Sequence, residues 1–381
     1  MPLRILFLSR ACPPVVGGIE NQNAALSKWL GKKASVTTMG NPFGKKFLPI
    51  FLPFALLRTL FTMHRFDVVL LGDGVLAIIG WCVKWCSPKR TVISIVHGLD
   101  ITYPLFLYRS LWVRLFLPKL DRLIAVGNET IRAGVERSIP LSRFAFVPNG
   151  VDTNAHYHPE YTARDLEGIL GESTHGKRIL LTSGRLAKRK GVAWFIRNVL
   201  PKLPENIIYI VAGDGPDRTN ITSAITETRL FTRVKLLGYV SDRARDILMN
   251  RSDIFVQPNI RVAGDMEGFG LSVVEAASCA IPVVASRLEG LQDAISDQEN
   301  GFLVEPEDPN AWREALTPLL EDESFRKACG ERARTFVLRS FDWSVISERY
   351  ITLIHETFLR TSGQTPPVDG TEIGSESIRF S

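Results

Sequence analysis

Asp253-Ile254-Phe255-Val256-Gln257-Pro258 is followed, within ten residues, by Glu267-Gly268-Phe269-Gly270-Leu271-Ser272-Val273-Val274-Glu275. The first stretch is apolar and β-branched, the pattern of a buried strand. Leu271 to Ala280 reads as a helix, and Pro282-Val283-Val284-Ala285 as the next strand. The glycine-rich turn is therefore expected at the carboxyl end of a strand in a βαβ unit, where open parallel sheets bind ligands. Gly268 and Gly270 let the backbone approach a ligand closely. Free N–H groups at a helix start can hold an anion. Glu267 lies before the helix and is expected to face outward. Glu275, a turn further on, can accept hydrogen bonds from a vicinal diol. A diphosphate with a sugar on each side would use all of these groups. Without its setting, the same stretch reads as an acidic loop followed by a core helix.

Outward from this stretch, strand-like and helical runs alternate along nearly the whole chain. Strands of a first sheet are expected at Ile5–Ser9, Val68–Leu71, Thr91–Val96, Arg122–Val126 and Phe144–Val147. A second series is expected at Arg178–Ser183, Ile207–Ala212, Val234–Leu237, Asp253–Gln257, Ile281–Ala285 and Gly301–Val304. The rhythm is that of two doubly wound α/β domains. A chain of 381 residues is long enough for both. The boundary is expected in the polar stretch Asp152 to Lys177, and final helices from about Ser324 to Arg360. Ser362 to Ser381 is polar and without periodicity, which predicts disorder.

Charge is unevenly spread. Residues 1–150 carry 19 Lys+Arg and 7 Asp+Glu, a net of +12; the remainder carries 27 and 33, a net of −6. A basic first half points to an anionic surface. Nucleic acid is one candidate, and anionic lipid fits better. Large apolar side chains are interleaved there: Phe43, Phe47, Phe51, Phe54, Phe61, Trp81, Trp85, Phe106, Trp112 and Phe116. Taken singly, such aromatics belong in a core. Arg109, Arg114 and Lys119 fall about 140° apart on a helix and make no stripe, so the case rests on the regional excess. The run Phe47 to Met63 holds Pro49, Pro53 and Arg58 and is too short to span a bilayer. No secretory signal is visible at the start. The five cysteines form no C-x2-C pair, which reads as reduced thiols, with Cys82 and Cys86 in the core.

Further constellations sit at strand ends. Gly184-Arg185-Leu186-Ala187-Lys188-Arg189-Lys190-Gly191 follows a strand and opens a helix. Arg185 can fork onto phosphate oxygens and Lys190 can add a point charge. Lys188 and Arg189 are expected to be solvated. Gly213-Asp214-Gly215 has Arg218 where a dinucleotide fingerprint needs glycine, so NAD binding is not indicated. Gly17 and Gly18 open the first helix, and His97-Gly98-Leu99-Asp100 follows a strand. The histidines are scattered, no carboxylate triad suits a metal, and no G-x-S-x-G elbow is present.

The nonapeptide Glu267–Glu275, with its Gly-Phe-Gly-Leu filling, resembles the E-x7-E motif of family 4 of the retaining, nucleotide-sugar-dependent glycosyltransferases. The resemblance extends to about residue 360. It implies the α/β GT-B fold, two doubly wound parallel-sheet (Rossmann-like) domains facing a cleft. Residues 1–165 would bind acceptor, residues 166–340 would bind nucleotide sugar, 341–361 would cross back to the first domain, and 362–381 would form the disordered tail. By resemblance, Arg185 and Lys190 hold the donor diphosphate with the backbone of Gly268, Phe269, Gly270 and Leu271. The Gly213 turn lines the donor site, and the backbone at Tyr239 and Val240 pairs with the base. Glu267 holds donor-sugar hydroxyls and Glu275 the ribose. His97 stands beside the donor sugar, Gly17 and Gly18 place acceptor and donor phosphate, and Asp100 contacts acceptor or orients its loop. The expected reaction is retaining, metal-independent transfer of a hexosyl-type sugar, with neither metal nor cofactor. The expected acceptor is a lipid-linked glycan at the cytoplasmic face of an anionic membrane, in cell-envelope polysaccharide or glycolipid synthesis. A sugar-nucleotide epimerase or hydrolase, or a catalytically silent membrane-binding protein, are the alternatives.

Overall fold

A computed structural model describes residues 2–14 and 17–364. The chain divides into two compact units, Met1–Gly150 with Trp343–Ser381, and Val151–Asp342.

In the first unit, β1 (Arg4–Ser9), β2 (Ser35–Gly40), β3 (Val68–Leu71), β4 (Thr91–Val96), β5 (Arg122–Ala125) and β6 (Phe144–Phe146) form a parallel sheet in the order β2-β1-β3-β4-β5-β6. Helices α1 (Gly18–Leu30), α2 (Leu48–Thr62), α3 (Ala77–Cys86), α4 (Leu99–Thr102), α5 (Phe106–Tyr108) and α6 (Asn128–Val135) connect them, with a π-helical stretch, Arg109–Phe116, after α5. β3 and β4 are buried at every position, as a sheet covered on both faces requires. β2 was not among the expected strands. It is an edge strand with mostly solvent-facing side chains, Ser-Val-Thr-Thr-Met-Gly, so it carries no apolar run. Only pairing with β1, from Arg4↔Ser35 to Ser9↔Gly40, makes it a strand.

In the second unit, α7 (Ala163–Leu170) precedes β7 (Arg178–Ser183), α8 (Val192–Asn198), β8 (Ile207–Ala212), α9 (Arg218–Thr228), β9 (Val234–Gly238), α10 (Asp242–Arg251) and β10 (Ile254–Gln257). Then come α11 (Leu271–Ser278), β11 (Val283–Ser286), α12 (Leu291–Ala294), β12 (Phe302–Val304), α13 (Pro309–Glu321) and α14 (Glu323–Ser340). The sheet is again parallel, in the order β12-β11-β10-β7-β8-β9. Strand order reverses once in each sheet, between β1 and β3 and between β7 and β10.

The division falls at Gly150, ahead of the expected stretch Asp152–Lys177 and of residue 165. Inside that stretch lies α7. Asp165 starts it by accepting from the N–H and hydroxyl of Thr162, and Leu166 is buried. The chain returns to the first unit through α15 (Trp343–Ser362). Its Trp343, Ile346, Tyr350, Leu353 and Ile354 join Ile5, Phe7, Val68 and Ile93 in one apolar cluster. The expected tail from Ser362 therefore starts inside a helix, and residues 365–381 lie outside the described residues.

Several first-unit aromatics are not core. Phe43, Phe47, Phe54, Phe61, Trp85 and Phe106 are exposed, whereas Phe51 and Phe116 are buried. On α2, Ile50, Phe54, Leu57 and Phe61 share one exposed face, opposite the buried Phe51, Ala55 and Thr59. A defined apolar face thus exists where the sequence offered only a regional excess. Cys86 is exposed rather than core. Among the described residues no helix is long and apolar enough to cross a membrane.

Helix α14 lies against the turn before β11 at Gly330, where an added Cβ would fall 2.0 Å from the Ala280 carbonyl oxygen. Gly330→Ala should therefore destabilise the protein by about 1–3 kcal/mol in urea unfolding. Gly168→Ala on α7 meets nothing within 4 Å; it should stabilise by up to about 1 kcal/mol through helix propensity.

Candidate functional site

β7 and β10 are neighbours whose connections leave on opposite sides, the arrangement that opens a ligand crevice beyond the strands' carboxyl ends. The turn after β7 runs from Gly184 to Gly191, and the segment after β10 runs from Pro258 to Gly270. The two are tied together. Ile260 N–H donates to the Arg189 carbonyl at 2.8 Å. Gly191 has φ +65°, and a Cβ there would lie 1.8 Å from the Pro258 carbonyl oxygen, so only glycine fits.

Glu267 occupies the centre. It is 8% exposed and turned inward, not outward. Its Oε2 lies 2.6 Å from Lys190 Nζ and 3.3 Å from an Arg189 guanidinium nitrogen. The same oxygen accepts from Asn259 Nδ2 at 3.3 Å. Asn259 Oδ1 accepts from Gln257 Nε2 at 2.6 Å, and Gln257 Oε1 from Ser272 Oγ at 3.3 Å. Every donor in this chain points toward the carboxylate. The Glu267 N–H donates to the Glu289 carboxylate at 2.6 Å. Burial alone would raise the Glu267 carboxyl; Lys190 and Arg189 outweigh it and hold it at about 2. Coulomb attraction in a poorly solvated place therefore decides the rotamer. It also corrects the expectation for Arg189, which is mostly buried and pairs with both Glu267 and Asp265. Lys188 is exposed.

The turns after β7, β8 and β9 are stitched side by side. Gly184 N–H donates to Ala212 O at 2.9 Å and Gly213 N–H to Gly238 O at 2.7 Å. Gly213 has φ +135°, and a Cβ on it would fall 1.9 Å from the Gly184 carbonyl oxygen. Arg185 is exposed on this row, with no side-chain partner among the described residues. Tyr239 beyond β9 is 85% exposed, and Val240 is half-buried. Gly270 caps α11 at φ +81°. The Phe269 ring is core, 5.7 Å from that of Phe341, so only its backbone can serve a ligand, alongside Gly268 and Leu271. Glu275 on α11 is half-buried; burial pushes its carboxyl up, while Arg245 and His156 pull it down.

The first unit repeats the plan at its own reversal. Arg10 follows β1, Gly72-Asp73-Gly74 follows β3, and His97 follows β4. Asp73 is fully buried, 3.4 Å from Arg10 Nε. Burial raises its carboxyl to about 7 despite Arg10, with Asp100 adding to the rise. His97 Nε2 is 3.1 Å from the Gly72 carbonyl oxygen. A carbonyl only accepts, so Nε2 carries the proton and Nδ1 keeps its lone pair. Burial also lowers the His97 pKa and keeps the ring neutral. Asp100 is 3% exposed and accepts from His97 N–H at 3.0 Å and Gly74 N–H at 3.1 Å. These two bonds tie its loop to the turn after β3. Gly18 opens α1, and a Cβ on Gly17 would lie 2.2 Å from a Glu20 carboxylate oxygen. Val15 and Val16 lie outside the described residues.

Sequence reasoning missed Arg10, Asp73, Gln257, Asn259 and Glu289. Asp73 had a signal, an acid between two glycines at a strand's end. Gln257 and Asn259 had one also, two amides closing an apolar strand. Glu289 is placed by φ +50° backbone that no pattern announces. Among the described residues no three His, Cys, Asp or Glu side chains cluster as metal ligands.

Residues 171–336 match the family described as glycosyl transferases group 1, and residues 16–155 match glycosyltransferase family 4. An uncharacterised glycosyltransferase of Methanocaldococcus jannaschii is 30% identical over 309 residues, 77% of this chain and 76% of the relative. The N-acetyl-alpha-D-glucosaminyl L-malate synthase of Bacillus anthracis is 26% identical over 284 residues, 74% of this chain and 72% of the relative. The UDP-Gal:alpha-D-GlcNAc-diphosphoundecaprenol alpha-1,3-galactosyltransferase of Escherichia coli is 25% identical over 280 residues, 70% of each. Among solved structures, Anabaena HepE in complex with UDP superposes with TM-score 0.75 at 19% identity, covering 93% of this chain and all of that one.

Glu267→Gln leaves Lys190 uncompensated in a buried place and Arg189 with Asp265 alone. It should cost about 3–5 kcal/mol in urea unfolding at pH 7. The wild-type carboxyl is lowered on folding, so its stabilisation is present above the unfolded value and fades as pH falls from about 4.5 toward about 2. The variant should lack that acid-side loss.

Proposed function

The chain belongs to glycosyltransferase family 4 and has the GT-B fold, and we propose that it is a retaining, metal-independent enzyme moving a hexosyl-type sugar from a nucleoside diphosphate sugar to a lipid-linked glycan acceptor. The observation that carries the reading is the caged Glu267 carboxylate beside the exposed, unpaired Arg185 at the β7–β10 reversal. That placement offers an anion acceptor for sugar hydroxyls and a free guanidinium for phosphate in one crevice.

On this reading negative charge grows on the departing diphosphate. Arg185, the N–H groups of Lys190 not directed at Glu267, and the Gly268–Leu271 backbone stabilise it, with no metal ion required. Glu267, held ionised, accepts hydrogen bonds from donor-sugar hydroxyls, and Glu275 does so from the ribose. The backbone at Tyr239 and Val240 meets the base, beside the Gly213 turn. The acceptor attacks on the face the diphosphate leaves, and a phosphate oxygen takes its proton. His97 accepts a substrate hydroxyl through Nδ1, while Gly17 and Gly18 admit phosphate beside the backbone.

Two features support a lipid-linked acceptor in cell-envelope or glycolipid synthesis. The Escherichia coli relative is named for a diphosphoundecaprenol acceptor. The first half carries a net of +12 and exposes the α2 face of Ile50, Phe54, Leu57 and Phe61. Basic charge with exposed aromatics suits peripheral binding at the cytoplasmic face of an anionic membrane. The Bacillus anthracis relative is named for L-malate, which keeps a small soluble acceptor as the second reading.

Arg185→Ala should weaken nucleoside diphosphate binding by about 10- to 150-fold in calorimetry, the worth of one charged hydrogen bond, with the fold intact. Excess EDTA should leave transfer undiminished. Wild-type affinity in the variant, or activity restored only by Mg2+ or Mn2+, would refute the donor site as drawn. Phe54→Ser with Phe61→Ser should lower binding to anionic vesicles, and raised salt should lower it further in the wild type. Equal partitioning onto neutral vesicles, or faster transfer to a soluble sugar than to a lipid-linked one, would remove the membrane and acceptor assignments respectively.

A further inference from the structure

The opposite end of the first sheet holds a cavity of about 430 Å³ that the proposed chemistry does not use. It opens at the amino ends of β5 and β6, among the last turns of α3 and α15. Arg122 begins β5, Arg143 ends the turn before β6, and Arg360 projects from α15. Three guanidiniums from three elements therefore line one space. Two carboxylates line it with them, and one is already spent. Asp121 pairs with Lys84 at 2.8 Å and accepts from Val92 N–H at 2.8 Å. The Lys84 ammonium is used up on Asp121 and on the carbonyls of Pro88 and Arg90. This leaves Glu356 alone facing three arginines.

None of the three arginines has a carboxylate within ion-pair distance among the described residues. Arg122 donates one bond, to the Ser142 carbonyl at 2.9 Å, and its Nε is buried with no partner. Arg143 donates to the Leu120 carbonyl at 3.1 Å. Arg360, exposed at the rim, has no side-chain partner among the described residues. Burial, then Arg360 and Arg143, make the Arg122 guanidinium easier to deprotonate than usual, with Glu356 opposing. Converging like charges with an unsatisfied buried donor cost stability unless an anion fills the space.

We propose that this cavity is a second anion site, binding a phosphate oxyanion through Arg122, Arg143 and Arg360. The phosphate is either free in solution or the headgroup of a lipid. Trp85, next to Lys84 on α3, is 78% exposed, which would suit a headgroup at a bilayer surface. The site is independent of the donor reading.

The test uses the full chain in two arms. Inorganic phosphate is titrated by calorimetry at fixed ionic strength into Arg185→Ala, which disables the proposed donor site, and into the same variant carrying Arg143→Gln or Arg360→Gln. Neutral vesicles with and without phosphatidic acid are titrated in parallel. Loss of one charged contact should weaken phosphate binding about 10-fold or more when Arg143 or Arg360 is replaced. Binding lost in the phosphatidic acid arm alone identifies the headgroup as the source. In phosphate-free buffer the Tm of Arg360→Gln should equal or exceed that of the wild type, since repulsion is relieved. A lowered Tm with phosphate and vesicle binding both unchanged would make the arginine structural and overturn the proposal. So would no binding in either arm.

Discussion

A single carboxylate, Glu267, organises the ligand edge of the second unit. It draws in Lys190 and Arg189 from the turn after β7 and anchors the amide chain from β10 and α11. Without that charge, two cations from one segment and two amides from another would have no common partner. The first unit places an acid at the equivalent reversal and reaches the opposite result. Asp73 meets one cation, Arg10, with a second carboxylate, Asp100, close by, and is raised to about 7. Glu267 meets two cations and is held at about 2. The same topology thus yields a permanent anion in one unit and a titratable carboxyl in the other. The count of neighbouring charges makes the difference.

Glycine sets how closely the turns pack around these acids. At Gly191 and Gly213 the backbone is left-handed, and a carbonyl oxygen lies within 2 Å of where a Cβ would be. These residues do not line the site so much as permit neighbouring turns to interlock. The reach of Arg185 and Lys190 is fixed by that interlocking and not by their own rotamers alone.

Most strands were legible because a parallel sheet covered on both faces needs unbroken apolar runs, and Val68–Leu71, Thr91–Val96 and Ile207–Ala212 supply them. β2 was hidden because an edge strand is defined by its partner. α7 was hidden because a half-exposed helix in a polar stretch has little apolar signal. The Glu267 turn was legible as a position and not as an orientation. Its inward rotamer depends on Arg189, which spacing alone could not distinguish from the exposed Lys188 one residue before it.

Helix α15 supplies Trp343, Ile346, Tyr350, Leu353 and Ile354 to the core of a unit whose strands all precede Val151. A ribosome makes the first sheet early and this helix last. At 5–20 residues per second, roughly 10–40 s pass while the second unit is made, with one face of the first sheet covered by α1 but not yet by α15. The second unit can complete its own core before α15 arrives. The order of synthesis is therefore the reverse of the order of completion, and the half of the chain richest in exposed aromatics waits longest in an unfinished state.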